Sequence, residues 1–295
     1  MNKKIFTSMC LSTLLFTLIL TLGAYAQNDS ITLVTTKWNI QKIAKGVVWK
    51  QFSFRGNLFG SNQNINIVEV KQGKKHRFDV VDNGKILKPT SEFGKEADAM
   101  GAVNGTFFNV KEGGSVDYIK INGKVLHQNQ LTNGTRGFHQ RSALAIADGR
   151  VRIEKWNGHE QWETELQASD LMVSGPLLIS ERRPEPLDSS SFNVTRHPRT
   201  AVALTSKNRV LLITVDGRNE NAAGMSLFEL RNVMKWINST DGINLDGGGS
   251  STLWIAGQPD NGVVNYPCDN KKWDHAGERK VANALCVSSK QKHSK

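Results

Sequence analysis

The sequence predicts an α+β protein whose core is a large, twisted, mixed β-sheet with flanking helices. Three observations support this class. Segments with the two-residue alternation of strands far outnumber segments with helical spacing. Two pairs of such segments are joined by Asn-Gly and Asp-Gly turns, which are typical of β-hairpins. One amphipathic helix lies between two strands that end at carboxylates, so helix and sheet must pack together.

The N-terminus has the pattern of a secretory signal peptide over residues 1–26. Two lysines precede an apolar stretch, and Ala24-Tyr25-Ala26 is a small-x-small cleavage motif. We therefore expect an exported chain, secreted or periplasmic, that begins at Gln27. The apolar stretch is shorter than a membrane span and no later segment is long enough, which predicts no transmembrane segment.

The remainder is expected to form one domain over residues 27–288, followed by a disordered basic tail at 289–295. Its first half reads as strands and hairpins. Alternation predicts strands at 46–54, 65–70 and 77–81, and hairpins centred on Asn122-Gly123 and Asp148-Gly149. A short helix is expected near Ala97, leading into a strand that ends at Val103.

The second half places charged residues at strand ends. A strand is predicted over residues 199–204. The next segment, 210–215, is a continuous apolar run, which is typical of a strand buried on both faces, and Asp216 follows it directly. Ser226 and Glu229 form a capping box that begins an amphipathic helix, and the next strand leads to Asp246. The helical crossover is long enough for a parallel pairing, which would bring both carboxylates to one edge.

A glycine triplet follows Asp246 directly, as Gly247-Gly248-Gly249-Ser250. Glycines adopt positive φ and let backbone N–H groups converge on an anion, so this turn predicts an anion site beside a carboxylate. A connecting turn without a ligand is the alternative, and the motif alone does not decide between them.

Several further segments decide in favour of a site. In chain order they are Ala102–Asn109, His197–Val202, Val215–Arg218, Gly224–Leu230, Asn244–Thr252, Val264–Pro267 and Arg279–Leu285. Together they resemble the phosphodiester glycosidase family, with Thr106 where that family more often has glycine. The resemblance covers residues 97–288 well and 27–96 only loosely.

The resemblance implies hydrolysis of the bond between C1 of a sugar and a phosphodiester oxygen. A carboxylate must then stabilise or attack the anomeric carbon, with Asp246 as first choice and Asp216 as second. Positively charged groups must hold the departing phosphate. Arg199, Arg218 and Arg279, with the amides of Gly247, Gly248, Gly249 and Ser250, are the candidates. Asn104, Asn109 and Asn244 either bind sugar hydroxyls or, as we favour, fix loops.

Two smaller predictions concern cysteine and metal. An exported chain favours a disulfide between Cys268 and Cys286, with buried thiols as the alternative. Asp216, Asp246 and Asn244 are oxygen donors that a hard divalent cation prefers, although their spacing matches no calcium loop.

The formal net charge of +11 suits a phosphorylated carbohydrate or an anionic cell-surface glycopolymer as partner, as would a merely basic surface. Nucleic acid is not favoured, because the basic residues are not interleaved with stacking aromatics. Two other functions stay open. A carbohydrate-binding protein without activity would use exposed aromatics such as Trp156, Trp162, Trp254 and Trp273, and a phosphodiesterase would cut P–O instead of C–O. The polar loop at 181–191 could form one wall of the site.

Overall fold

The computed structural model of the protein describes residues 28–290, so the predicted signal peptide and residues 291–295 lie outside the described residues. The largest sheet has eight strands. In spatial order they are β1 (Asn39–Ala44), β2 (Val47–Leu58), β3 (Ser61–Lys71), β14 (Arg209–Val215), β13 (Arg199–Thr205), β15 (Ser239–Asn244), β11 (Leu177–Ser180) and β12 (Arg183–Pro184).

Two smaller sheets cover one face of the large one. The five-stranded sheet has the order β7 (Lys124–His127), β6 (Ile119–Ile121), β10 (Asp170–Val173), β8 (Ser142–Ala147) and β9 (Arg150–Lys155). The four-stranded sheet has the order β16 (Leu253–Ile255), β5 (Gly101–Asn104), β17 (Asn283–Ser289) and β4 (His76–Asp82). The helices are α1 over residues 28–35, α2 (Thr90–Glu96), α3 (Trp162–Glu165), α4 (Ser191–Val194) and α5 (Leu227–Trp236).

The central strands of the large sheet are buried on both faces, as the apolar run of β14 predicts. Val210 and Leu212 pack toward the smaller sheets, in a core with Leu144 and Leu285. Leu211 and Ile213 point the other way, into a second core with the apolar side of α5 and with α1. Successive side chains of a strand alternate between faces, so one strand supplies both cores.

The local predictions from sequence are confirmed. The Asn122-Gly123 turn joins β6 to β7, and the Asp148-Gly149 turn joins β8 to β9. At the start of α5, Ser226 Oγ accepts from the Glu229 N–H at 3.2 Å, and Glu229 Oε2 accepts from the Ser226 N–H at 2.9 Å. The α+β class, with a large sheet and flanking helices, is confirmed as well.

The relation between β14 and β15 differs from the prediction. Both strands pair antiparallel with β13, which lies between them, so they run parallel without being hydrogen-bonded neighbours. The strand 199–204 turns back as a hairpin partner of β14 and also accepts β15 on its other edge. The ends of β14 and β15 nevertheless share one edge of the sheet, which is the consequence that matters for the site.

The predicted disulfide is wrong. Cys286 is fully buried in β17, with Sγ 3.9 Å from the carbonyl oxygen of Phe93 in α2. Cys268 lies in a loop, with Sγ 4.0 Å from Nη1 of Arg218. Both thiols are free, because β17 places Cys286 beneath α2 whereas the loop places Cys268 beside Arg218.

Candidate active site

The edge at which β14 and β15 end also holds the start of β13. Asp216 directly follows β14, and Asp246 comes two residues after β15. Because β13 runs antiparallel to both strands, its first residue, Arg199, lies at the same edge. Three of the charged residues that the sequence singles out therefore come together, and their surroundings decide what each one does.

Asp246 is half-buried, and its carboxylate has few partners. Oδ1 accepts a hydrogen bond from the Gly247 N–H at 2.9 Å, and the Ser250 hydroxyl is fully buried beside it. Burial raises the pKa of Asp246 to about 6, while the Ser250 hydroxyl, the Gly247 amide and the charge of Arg279 oppose the shift. A carboxyl group that titrates close to neutral pH is suited to acid, base or nucleophilic chemistry.

The backbone of Asp246 is held rigidly. Asn104 is fully buried and donates from Nδ2 to the carbonyl oxygen of Asp246 at 2.7 Å. Its Oδ1 accepts from the Thr200 hydroxyl at 2.7 Å and from the Thr252 N–H at 3.1 Å. Asn244 is also fully buried and donates to the carbonyl oxygens of Gly175 and Leu245 at 2.9 and 2.7 Å. Both asparagines fix loops, which is the role that the sequence analysis favours.

The main role of the glycine turn is to leave space for two arginine side chains, since few of its backbone N–H groups are free to bind a ligand. Three of its N–H groups are already used, because those of Gly247, Gly248 and Ser250 donate to Asp246 Oδ1, to the Pro198 carbonyl and to the Gly247 carbonyl. A Cβ on Gly248 would lie 3.0 Å from Arg218 Nη2, and one on Gly249 would lie 2.5 Å from Arg279 Nη2. A side chain at either position would push these guanidinium groups away, and Gly248 also has a φ of +62°, which favours glycine.

Arg218 and Arg279 therefore lie against neighbouring residues of one turn. Arg218 is exposed, and its Nη2 is 3.3 Å from Nδ1 of His197. Burial, together with the charges of Arg199 and Arg218, lowers the pKa of His197, which favours the neutral ring that accepts this bond. Arg279 is partly exposed and donates from Nε to Asp269 Oδ1 at 2.9 Å. Two guanidinium groups next to Asp246 are an arrangement that can hold a phosphate.

Arg199 does not belong to this pair, which corrects the sequence-based assignment. Only 1 % of it is exposed, and its donors are used by backbone carbonyls. Nε donates to Met225 at 2.9 Å, and Nη2 donates to Phe192 at 2.7 Å and to Thr195 at 2.9 Å. Burial lowers the pKa of Arg199 to about 10. Its guanidinium ties two segments, the end of α4 and the residues just before α5, to the start of β13 behind the glycine turn.

Asp216 is 1 % exposed, and both of its oxygens are engaged. Oδ2 accepts from Asn64 Nδ2 at 2.6 Å, and Oδ1 accepts from Asn265 Nδ2 at 2.8 Å and from the Tyr266 N–H at 3.0 Å. Burial raises the pKa of Asp216, and these donors oppose the shift. The carboxylate thus anchors the loop that carries Cys268 and Asp269, and it is placed to support the site from below instead of touching a ligand.

Asn109 lies apart from these residues. Its Oδ1 accepts from the N–H groups of Lys111 and Glu112, both at 3.0 Å, in a surface turn. Of the tryptophans that a carbohydrate-binding protein would use, Trp162 and Trp254 are only 2 % and 4 % exposed, so neither offers a ring face to a ligand. Trp273 stacks on Tyr266 with ring centroids 4.1 Å apart.

Sequence reasoning missed a buried carboxylate that holds a histidine. Asp117 is fully buried and lies 3.2 Å from Nε2 of the partly exposed His139. The Thr106 hydroxyl and Gln140 Nε2 also donate to it, at 2.9 and 2.8 Å. Its charge contributes to the raised pKa of Asp246, so the two groups are near each other. Thr106, which stands where the motif usually has glycine, binds Asp117 through its hydroxyl, but no sequence signal links either residue to His139.

The residues considered for a divalent cation do not gather as a metal site requires. The oxygens of Asp216 accept from amide donors, and Asn244 is directed at carbonyl groups. In residues 28–290, no group of three or more His, Cys, Asp or Glu side chains is arranged to hold a metal ion.

Comparison with known proteins settles the family. The model of the phosphodiester glycosidase family matches residues 97–288. The chain belongs to the phosphodiester glycosidase family. Human N-acetylglucosamine-1-phosphodiester alpha-N-acetylglucosaminidase is 25% identical to it over 213 residues, which are 66% of this chain and 39% of the human protein. The bovine protein of the same name is 28% identical over 199 residues, covering 63% and 36%.

This phosphodiester glycosidase domain thus spans about two fifths of the length of those relatives. The zebrafish catalytic domain of N-acetylglucosamine-1-phosphodiester alpha-N-acetylglucosaminidase, described as auto-inhibited by its pro-peptide, has the same fold. It superimposes with a TM-score of 0.65 at 19% identity and covers 87% of this chain and 89% of that one.

Proposed function

We propose that the protein is an exported hydrolase that cleaves the bond between C1 of a sugar and the oxygen of a phosphodiester. The observation that carries this proposal is the position of Asp246 directly before a glycine turn against which Arg218 and Arg279 both pack. Such a site combines a carboxylate for the anomeric carbon with permanent positive charge for the phosphate. The names of the relatives suggest N-acetylglucosamine as the sugar.

In the proposed reaction the two arginines bind the phosphate and stabilise the charge that it gains as the C–O bond breaks. The departing phosphate monoester has a second pKa near 6 and is already a good leaving group. It therefore needs less help from a general acid than the alcohol that leaves an ordinary glycoside. Asp246, ionised, acts at the anomeric carbon as nucleophile or as base for water. His139, whose Nε2 lies 3.2 Å from Asp117 Oδ1, is oriented by that carboxylate and is the nearby group that can exchange a proton through its other ring nitrogen, Nδ1.

Export is part of the proposal and rests on the sequence of residues 1–26. Among the helices that the structure describes, none has the length and apolar character to cross a membrane. The partner is then a phosphorylated carbohydrate or a cell-surface glycopolymer, in keeping with the basic charge.

Hydrolysis of N-acetylglucosamine-1-phosphomethyl ester in ¹⁸O-labelled water tests the bond that is cut. We expect the label in the sugar, because attack at C1 leaves the bridging oxygen on phosphate. Mass spectrometry of both products reads the outcome. Label in the phosphate would instead identify a P–O-cleaving phosphodiesterase, and binding without turnover would favour a carbohydrate-binding protein.

The pKa of Asp246 predicts how the rate depends on pH. If the ionised carboxylate is the working form, kcat/KM is constant above the pKa and falls about tenfold per pH unit below pH 6. The measurement is kcat/KM between pH 4.5 and 8 at constant ionic strength. A rate that rises as the pH falls would mean that the protonated carboxyl acts as a general acid, contrary to the role proposed here.

A further inference from the structure

Several lysines lie together at the edge of the large sheet that is opposite the candidate active site. β3 ends at Lys71, which pairs with Arg209 at the start of β14, whereas Asp216 follows the other end of β14. This strand of seven residues rises by about 3.3 Å per residue, so the two edges are roughly 20 Å apart. The lysines are therefore too far from Asp246 to take part in the chemistry proposed there.

These lysines surround a cavity of about 280 Å³. It lies between the turn that joins β1 to β2 and the segment that joins β3 to β4. Four exposed lysines line it, and we call them the lysine cluster: Lys45, Lys71, Lys74 and Lys75. Among the described residues, no aspartate, glutamate or large apolar side chain lines this cavity. It is a concave surface with charge of one sign.

The charge of the lysine cluster is not neutralised within residues 28–290, where none of its members forms an ion pair. Arg77, by contrast, is paired with Asp79 at 2.7 Å. The charge of Lys45 lowers the pKa of Lys75, and Lys71 adds to the effect, so these ammonium groups are close enough to repel one another. An anion bound between them would relieve that repulsion.

The end of β17 brings a fifth lysine to the cluster. The N–H of Lys290 donates to the carbonyl oxygen of Lys75 at 2.9 Å. Its Nζ donates to the carbonyl oxygen of Asp148 at 2.6 Å, so this ammonium group also has a backbone partner in place of a carboxylate. Positive charge thus extends beyond the rim of the cavity.

The exposure of these lysines indicates what kind of anion they can retain. A single ion pair at an exposed lysine contributes little, because water and salt screen it. A linear polyanion contacts several lysines at once, so the small contributions add and bound counterions are released. A membrane surface fits less well, because the cavity offers no aromatic or large apolar side chain to enter the lipid.

We infer that the lysine cluster binds a linear polyanion whose charges are phosphate groups, and that it holds the protein on this polymer while the opposite edge stays open to substrate. The lysines themselves require only repeated negative charge, because an ammonium group is a point charge. The choice of phosphate rests on the proposed function, whose substrates are phosphodiesters. The cluster is a second anion site, separate from Arg218 and Arg279.

Binding of fluorescently labelled, long-chain inorganic polyphosphate tests this inference, with Kd measured by anisotropy at low ionic strength. We expect the double variant Lys74→Ala/Lys75→Ala to raise Kd about tenfold and to flatten its salt dependence. Lys111→Ala/Lys124→Ala is the matched control, since it removes the same charge from exposed positions in a surface turn and at the start of β7. It should leave Kd within about twofold. Equal losses in both double variants would mean that only net charge matters, which would overturn the inference.

The arginines of the candidate active site give the second comparison. Arg218→Ala/Arg279→Ala should change the Kd of polyphosphate by about threefold at most, because the cluster remains intact. If this variant loses the polymer and Lys74→Ala/Lys75→Ala keeps it, the polymer is held at the active site and the inference is wrong.

Turnover separates this inference from the proposed chemistry. Lys74→Ala/Lys75→Ala should hydrolyse N-acetylglucosamine-1-phosphomethyl ester at the rate of the wild type, since the cluster is remote from the reacting bond. If no form hydrolyses the ester but the polymer pattern appears, the chemistry is wrong and the cluster stands. If the ester is hydrolysed but polyphosphate does not bind, the cluster is wrong.

Two further ligands test the class of partner. Poly-glutamate offers repeated carboxylates, and vesicles of phosphatidylglycerol and phosphatidylcholine offer an anionic membrane. We expect polyphosphate to bind about tenfold more tightly than either, because its charges are more closely spaced. Tighter binding of poly-glutamate would overturn the choice of phosphate. Vesicle binding that is lost in Lys74→Ala/Lys75→Ala, with polyphosphate binding unchanged, would assign the cluster to a membrane instead.

Discussion

Replacing Asp246 with asparagine is expected to lower kcat by roughly 10³-fold or more, because an amide neither attacks an anomeric carbon nor accepts a proton from water. The substitution keeps the shape of the side chain and an oxygen that can accept from the Gly247 N–H, which lies at 2.9 Å. The loss should therefore fall on kcat, with KM little changed. Initial rates on N-acetylglucosamine-1-phosphomethyl ester measure both quantities.

Asp246→Asn should lower kcat without lowering the free energy of unfolding. The folded-state pKa of Asp246, about 6, is above its unfolded value, so the ionised carboxylate costs folding free energy at neutral pH. Asp246→Asn is therefore expected to be as stable as the wild type at pH 7 or more stable by about 1 kcal/mol, after discounting for partial exposure. That gain should shrink as the pH falls from 6 to 4. Urea unfolding at pH 7 and 4.5 measures it.

Asp216→Asn is the matched control. Asp216 is a buried acceptor of three hydrogen bonds, so an amide there would set donors against donors and cost about 2–4 kcal/mol of stability. The two substitutions thus separate chemistry from folding. A kcat for Asp246→Asn within threefold of the wild type would remove Asp246 from the reaction.

Much of the fold is predictable from sequence because its signals are local. The continuous apolar run of β14, the turn at Asn122-Gly123 and the capping box of Ser226 and Glu229 each depend on residues within a few positions of one another. Steric and hydrogen-bonding rules act at that range, and the surrounding protein has little influence on them. Each of these predictions is confirmed.

What the sequence could not show depends on contacts between distant segments. Arg199 begins an apolar strand and Arg218 follows one, so the local sequence of both is similar. In the fold, however, Arg199 is buried among the carbonyl groups of Phe192 and Met225, whereas Arg218 is exposed. The insertion of β13 between β14 and β15 is likewise a choice among pairings that local patterns do not distinguish. His139 and Asp117 are 22 positions apart and belong to no common motif, so only the folded chain joins them.

Arg218→Lys and Arg279→Lys are each expected to lower kcat/KM by about 10- to 100-fold, because lysine lacks the planar fork that makes paired contacts to phosphate oxygens. Arg279 is already oriented by Asp269, to which Nε donates at 2.9 Å, so a lysine there would lose direction as well as donors. Stability should change little, since both side chains are at least partly exposed. Inhibition by inorganic phosphate should weaken in parallel, which ties the loss to phosphate binding.

Arg199→Lys provides the contrast that makes this prediction sharp. The single ammonium nitrogen of lysine cannot take the place of both Nε and Nη2, so at least one carbonyl among Met225, Phe192 and Thr195 loses its donor, and we expect a cost of about 3 kcal/mol of stability. Gly249→Ala should displace Arg279 without changing it, because the added Cβ would lie 2.4 Å from Asp269 Oδ1 and 2.5 Å from Arg279 Nη2. It should therefore reduce phosphate inhibition as Arg279→Lys does. If phosphate inhibits Arg218→Lys, Arg279→Lys and Gly249→Ala as strongly as the wild type, the two arginines do not hold the phosphate, and the glycine turn is only a connection between strands.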